Sequence, residues 1–193
     1  MTATTEIANG EKPGIVIEWA SQVAVRPRPT ITRLSSTRGA IWSWPSVPML
    51  KIKKIDHIAV CVADIDEAAA RWHAVLGLVP REREVVESQK TEAILLPVGD
   101  TSVELISPRG NDSLSRFLEK RGPGLHHIAV EVEGIESAIA LLKGLGLPMI
   151  DETPRRGARG HKVAFIHPKA TGGVLVELVE PAASEADEAK PVA

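Results

Sequence analysis

The sequence contains no tyrosine, and aromatic residues make up only 3% of it. Proteins that grip unpaired nucleic-acid bases stack them on aromatic rings, so this shortage argues against a base-stacking surface. The formal net charge of −2 supplies no general attraction for a polyanion either. A single cysteine, Cys61, has no partner for an internal disulfide, which fits a reducing compartment such as the cytoplasm. No stretch approaches the roughly 20 consecutive apolar residues that a membrane-spanning helix needs. Nucleic acid and membrane both drop out as expected partners.

A more local absence concerns acidic residues. Between Glu18 and Asp56 there are none, while Arg26, Arg28, Arg33, Arg38, Lys51, Lys53 and Lys54 fall in that interval. Arg26-Pro27-Arg28-Pro29 cannot be helix interior, because proline lacks the donor and restricts its predecessor. Three of the four tryptophans, Trp19, Trp42 and Trp44, lie in the same region. Glu6, Glu11 and Glu18 speak against an organelle transit segment. Residues 1–49 are therefore expected to be a poorly ordered extension, with Met49 as an alternative initiator. The Ala-, Glu- and Lys-rich residues 182–193 are expected to be a flexible tail.

The chain as a whole, 44% hydrophobic and 25% charged, has the composition of a soluble globular protein, and residues 50–181 are expected to form its domain. Its organising feature is a repeated phrase. His57-Ile58-Ala59-Val60 returns as His127-Ile128-Ala129-Val130, and Val103-Glu104-Leu105 returns as Val176-Glu177-Leu178. The histidines stand 70 residues apart and the glutamates 73, so these are corresponding points of two copies of one module.

Periodicity gives each copy the order β-α-β-β-β, over about 53–107 and 125–180. A strand over 53–62 precedes a helix over 65–76, capped by Asp64 and closed by Gly77. A charged strand-like run (79–87) leads to a hairpin of 91–98 and 101–106 turning at Gly99-Asp100. A connector with a short helix near 113–120 leads to the second copy. That copy has a strand over 125–132, a helix over 135–145, a short strand over 148–152, a basic loop over 154–160, and strands over 162–166 and 174–179. The expected fold is α+β, with both modules contributing to a curved mixed sheet around a shared cleft.

His57, Glu104, His127 and Glu177 each fall mid-strand among small or apolar residues on the same face. A glutamate in an apolar strand is costly unless paired or metal-bound, and here it occurs twice at equivalent positions. Two imidazoles and two carboxylates suit a divalent first-row ion with coordination positions left open. A ring-cleaving dioxygenase, needing two histidines and one carboxylate, fits a fourth protein ligand less well. His126 has the opposite phase to His127 and reads as structural, and His73 as solvated. His161 and His167 flank the last hairpin, in capping or substrate-contact positions.

The residues Ile55-Asp56-His57-Ile58-Ala59-Val60, Pro97-Val98-Gly99-Asp100-Thr101, Gly124-Leu125-His126-His127-Ile128-Ala129 and His167-Pro168-Lys169 followed by Gly172-Gly173-Val174-Leu175-Val176-Glu177-Leu178 resemble the methylmalonyl-CoA epimerases of the vicinal-oxygen-chelate (glyoxalase-like) superfamily. The resemblance runs from about Met49 to Pro181. It implies that His57, Glu104, His127 and Glu177 bind the metal, with Co2+ first and Ni2+, Mn2+, Zn2+ or Fe2+ as others. It implies an acyl-CoA substrate, a homodimer, and a proton moved at C2 through a metal-stabilised enolate. Glu177 and Glu92 become the acid–base pair, with Glu87 and Gln89 as substitutes for Glu92. Arg155, Arg156, Arg159, Lys162 and Lys169 are on offer to CoA phosphates, and equally read as a solvated basic surface. Two alternatives stand beside this: a glyoxalase I-type lyase acting on glutathione adducts, and a metal-free binding protein of the same fold.

Overall fold

A computed structural model describes residues 49–81 and 83–182, together with two three-residue strands nearer the N-terminus. Those strands, β1 (Thr30–Thr32) and β2 (Ile41–Ser43), pair antiparallel with each other. Otherwise the expected N-terminal extension and C-terminal tail lie outside the described residues.

The first module comprises β3 (Ile52–Cys61), α1 (Ile65–Leu76), β4 (Arg83–Val86), β5 (Thr91–Val98) and β6 (Thr101–Pro108). After α2 (Asp112–Arg121), the second comprises β7 (Gly124–Val132), α3 (Ile135–Gly144), β8 (Arg155–Arg156), β9 (Lys162–Ile166) and β10 (Val176–Glu180). They form one eight-stranded sheet in the order β4-β5-β6-β3-β7-β10-β9-β8. The first strands of the modules meet antiparallel at the centre, and each pairs in parallel with the last strand of its own module. This places β3, β6, β7 and β10, the strands carrying the repeated phrases, side by side.

Local chemistry fixes the elements. Asp64 Oδ1 accepts the Glu67 N–H at 2.9 Å to start α1, and Gly77 closes it at φ 69°, a left-handed value that glycine adopts without strain. The carboxylate of Glu180 accepts the first N–H of α3 at 2.6 Å, tying that helix to β10. One sheet face buries two clusters under the helices: Ile65 and Ala69 against Ile94, Leu96 and Leu105, and Ile135, Ile139 and Leu142 against Ala164, Ile166 and Leu178. Burying each of the isoleucine and leucine side chains stabilises by about 1.5–3 kcal/mol. On the other face Ala59, Cys61, Ala93 and Ile106 meet Leu114 of α2, while Ala129, Val163 and Val179 form a second small cluster.

One element differs from expectation. The run 148–152 contributes only an isolated bridge, Met149 to Ile166. The Asp151 side chain takes the Phe165 N–H at 2.9 Å, a donor that a strand carbonyl would otherwise accept. The two-residue strand β8 forms beyond Pro154 instead, inside the segment expected to be loop, pairing with Val163 and Lys162.

Candidate metal centre and active-site cavity

The sheet face opposite α1 and α3 encloses a cavity of about 380 Å3, and His57, Glu104, His127 and Glu177 all line it. All four side chains are buried. His57 Nε2 lies 3.2 Å from Glu104 Oε2, 3.2 Å from His127 Nε2 and 3.4 Å from Glu177 Oε2. His127 Nε2 lies 2.8 Å from Glu177 Oε2. His57, Glu104 and His127 each offer a ligand atom, all within 4.8 Å of one another.

These separations are those of donors around one ion. Ligand atoms about 2.0–2.2 Å from a metal, at tetrahedral to octahedral angles, stand roughly 2.9–3.5 Å apart. The imidazole nitrogen facing two carboxylates and a second imidazole can satisfy only one of them with a proton. Without a cation, His57 takes up that role itself: burial opposes its ionisation, but the Glu104 charge and hydrogen bonds to Asp56, Glu104 and Glu177 push it up to about 12. Glu177 behaves in the opposite sense. Burial works against its charge, yet the two imidazoles hold it ionised, down to about 2. The cluster demands positive charge, and its donor set fits a divalent metal ion.

Each imidazole also has a partner on its other nitrogen. Asp56 Oδ1 lies 2.8 Å from His57 Nδ1, and Arg159 Nη2 lies 3.2 Å from the same oxygen. Burial disfavours the Asp56 charge, but His57 and then Arg159 outweigh it and keep the carboxyl below its usual range. His126 Nδ1 lies 2.9 Å from His127 Nδ1. Burial, followed by the His127 charge, lowers His126 to about 4.

Glu92 is a correction to the sequence reading. The β5–β6 register pairs Leu95 with Glu104 and Ala93 with Ile106, so Ala93 shares the face of the site and Glu92 points to the other. There its carboxylate is buried and paired to Arg83 Nη1 and Arg109 Nη1, both at 3.3 Å. Of its two substitutes, Gln89 lines the cavity, whereas Glu87 is exposed on the 3-10 turn Glu87–Gln89.

Among the basic residues, Arg155 and Arg159 reach the cavity wall; Lys162 instead pairs with Glu136 and Glu180. Arg155 bonds Asp151 at 3.2 Å and stacks 5.1 Å over the Phe165 ring. The backbone N–H of Arg159 donates to both oxygens of Glu84 at 3.0 Å, which ties the second module to β4 of the first. His161 lines the cavity and accepts from the Ala182 N–H at 3.0 Å, while His167 caps the following turn through Lys169. His73 is exposed and bonds the Leu78 carbonyl at 3.0 Å.

Sequence reasoning missed Asp56 and placed His126 on the wrong side. Both precede a repeated histidine, a position that strict alternation sends to the other face.

Comparison with known proteins follows the same line. The family model of the glyoxalase/bleomycin resistance protein/dioxygenase superfamily matches residues 56–165. The uncharacterized protein YqjC of Bacillus subtilis is 41% identical over 138 residues, 71% of this chain and 99% of its own. The mitochondrial methylmalonyl-CoA epimerase of Homo sapiens is 34% identical over 156 residues, 80% of this chain and 84% of its own. The crystal structure of methylmalonyl-CoA epimerase from Mycobacterium tuberculosis superposes with a TM-score of 0.68 at 34% identity, covering 73% of this chain and 96% of that one. With a duplicated module, a curled sheet and a matching family model, the chain belongs to the glyoxalase/bleomycin resistance protein/dioxygenase superfamily and, within it, to the methylmalonyl-CoA epimerase family.

Proposed function

We propose that this protein is a metal-dependent epimerase that interconverts the two C2 epimers of methylmalonyl-CoA. The observation that carries the reading is the convergence of His57, Glu104, His127 and Glu177 on one point of the cavity wall, their ring nitrogens and carboxylate oxygens 2.8–3.4 Å apart. Removal of a proton beside a thioester carbonyl requires a carboxylate within reach of it and a cation for the charge that develops, and this cluster offers both the carboxylate and the cation site. The activity named for the human and mycobacterial relatives supports the substrate.

His57, Glu104, His127 and Glu177 would hold the ion, Co2+ first among the first-row candidates. What a divalent ion supplies there is Lewis-acid stabilisation of the negative charge that appears as C2 loses its proton. Glu177 would take that proton on one of its two carboxylate oxygens. The proton returned to the opposite face is assigned to Glu87. It is the carboxylate of the turn Glu87–Gln89, whose Ser88 and Gln89 line the cavity. That turn leads into β5, across the central β3–β7 pair from β10 in the sheet order. Arg155 and Arg159, on the cavity wall, face the phosphates of CoA. We place the protein in the cytoplasm as a homodimer.

The test is C2 deuterium incorporation from one epimer in deuterated water, with protein stripped by chelator and reloaded with Co(II). Metal-dependent exchange that disappears in Glu177→Gln supports the reading. A bound ion without exchange would move the assignment to a lyase acting on glutathione adducts.

A further inference from the structure

The two modules share an irregularity as well as a phrase. On β3 the pairing with β7 steps from Ile55↔Val130 to His57↔Ala129, so Asp56 is the extra residue of a β-bulge. On β7 it steps from His127↔Ala59 to Leu125↔Val60, so His126 is extra. In each copy the bulged residue is the one just before the repeated histidine. A bulge locally suspends the alternation of side chains and re-aims one of them. The outcome is equivalent in the two copies: a polar atom 2.8 Å from Nδ1 of His57 and 2.9 Å from Nδ1 of His127.

The chemistry of the two partners is not equivalent. Asp56 is a carboxylate with Arg159 on the same oxygen, and it can only accept from His57. His126 is an imidazole packed edge-on against Phe117, with ring centroids 5.0 Å apart. Two ring nitrogens 2.9 Å apart share a single proton, so one donates and the other accepts. His127 turns Nε2 to the quartet, 2.8 Å from Glu177 and 3.2 Å from His57. With that nitrogen ligating, the His127 proton sits on Nδ1, and His126 must be the acceptor.

We infer that His126 is the positioning residue of His127: a neutral imidazole that accepts the Nδ1–H of His127 through its own Nδ1 and carries its proton on Nε2. It stands where Asp56 stands in the first module. The two ligand histidines are therefore unequal donors, His57 strengthened by a full negative charge and His127 by a neutral ring. The inference rests on the metal reading of the quartet and not on the identity of the substrate.

Two readouts independent of turnover test it. In Zn(II)-loaded protein, long-range 15N–1H spectra should show His126 protonated on Nε2 and bare on Nδ1, with His127 protonated on Nδ1. The reverse tautomer of His126 overturns the inference. Separately, Co(II) dissociation constants are measured by chelator competition, with the visible spectrum of the bound ion. His126→Leu, which keeps the packing on Phe117 and removes the acceptor, should weaken Co(II) binding by about 10–100-fold and shift the spectrum. His126→Asp, which installs the partner found in the first module, should restore affinity to at least that of the unsubstituted protein. Wild-type affinity and spectrum in His126→Leu would overturn the inference while leaving the metal site standing. Unsubstituted protein that binds neither ion would overturn the metal reading itself.

Discussion

Replacing Glu92 with glutamine tests the geometry of the β5–β6 pair directly. The carboxylate is 8% exposed and meets two guanidinium groups at 3.3 Å. The arginine side chains are 39% and 53% exposed, so water screens both pairs and each contributes about 0.5–1 kcal/mol. The amide of Glu92→Gln keeps the shape and removes the charge. Both arginines retain access to water, and Arg83 keeps a second partner in Asp66. The loss should therefore be about 1–2 kcal/mol, well short of the penalty for stranding a fully buried charge. For a chain of 193 residues that lowers the melting temperature by about 3–6 °C. Because Glu92 lies on the helix-covered face, deuterium exchange at C2 should proceed at the unsubstituted rate in the folded variant. Glu177→Gln should instead lose about 10²–10⁴-fold in rate. The assays are a calorimetric melt and the exchange reaction, run on one preparation. A Glu92→Gln protein that melts normally and has lost exchange would refute the placement and return Glu92 to the reaction.

Four further outcomes are expected from the structure. His57, raised to about 12 in the ion-free protein, must give up its proton to ligate, whereas Glu177 at about 2 is already ionised. Near neutral pH, Co(II) uptake should thus release about one proton per ion and strengthen as pH rises, read by titration calorimetry in buffers of different ionisation enthalpy; no proton release would sink the assignment. By the same sign, the ion-free protein holds the stabilising contribution of His57 fully below pH 6.5 and gives it up progressively as pH rises from there to about 12. Gly157→Ala should destabilise by about 1–3 kcal/mol, because its Cβ would stand 2.7 Å from Cγ1 of Val163, a stiff, buried β-branched side chain; an unchanged melting temperature would show that the loop gives way. Cys61 is fully buried and its thiol is pushed up to about 11 by that burial, so an aromatic disulfide reagent should leave it untouched in native protein and titrate it after denaturation.

The duplicated phrases carried most of the fold because each marks a strand whose neighbours alternate cleanly. Val60 and Val62 go under α1 while Ala59 and Cys61 go to the opposite face, against Leu114 of α2, as period-two reading requires. The structure brings His57, Glu104, His127 and Glu177 around one point by the same rule. The strand expected over 148–152 failed for a reason that hydrophobic pattern cannot carry, since a side chain, Asp151, replaced a ladder carbonyl.

Glu92 and Asp56 failed differently from each other, and the contrast separates legible errors from illegible ones. The two-residue turn at Gly99-Asp100 pairs Val98 with Thr101, and counting back along both strands sets Leu95 against Glu104 and Glu92 against Ser107. An odd number of steps separates Glu92 from Leu95, so its wrong face was readable from the hairpin alone. Asp56 and His126 could not be read that way. Strict alternation sends the residue before each histidine to the far side, and only a bulge in the central pair turns it back. A bulge leaves no mark on hydrophobic period; it is set by how two strands from different modules meet. The first coordination partners of such a site are therefore open to sequence reasoning, while the groups that orient them depend on a packing event between the copies. Changes at Asp56 and His126 should accordingly alter the metal centre without altering the pattern by which the fold is recognised.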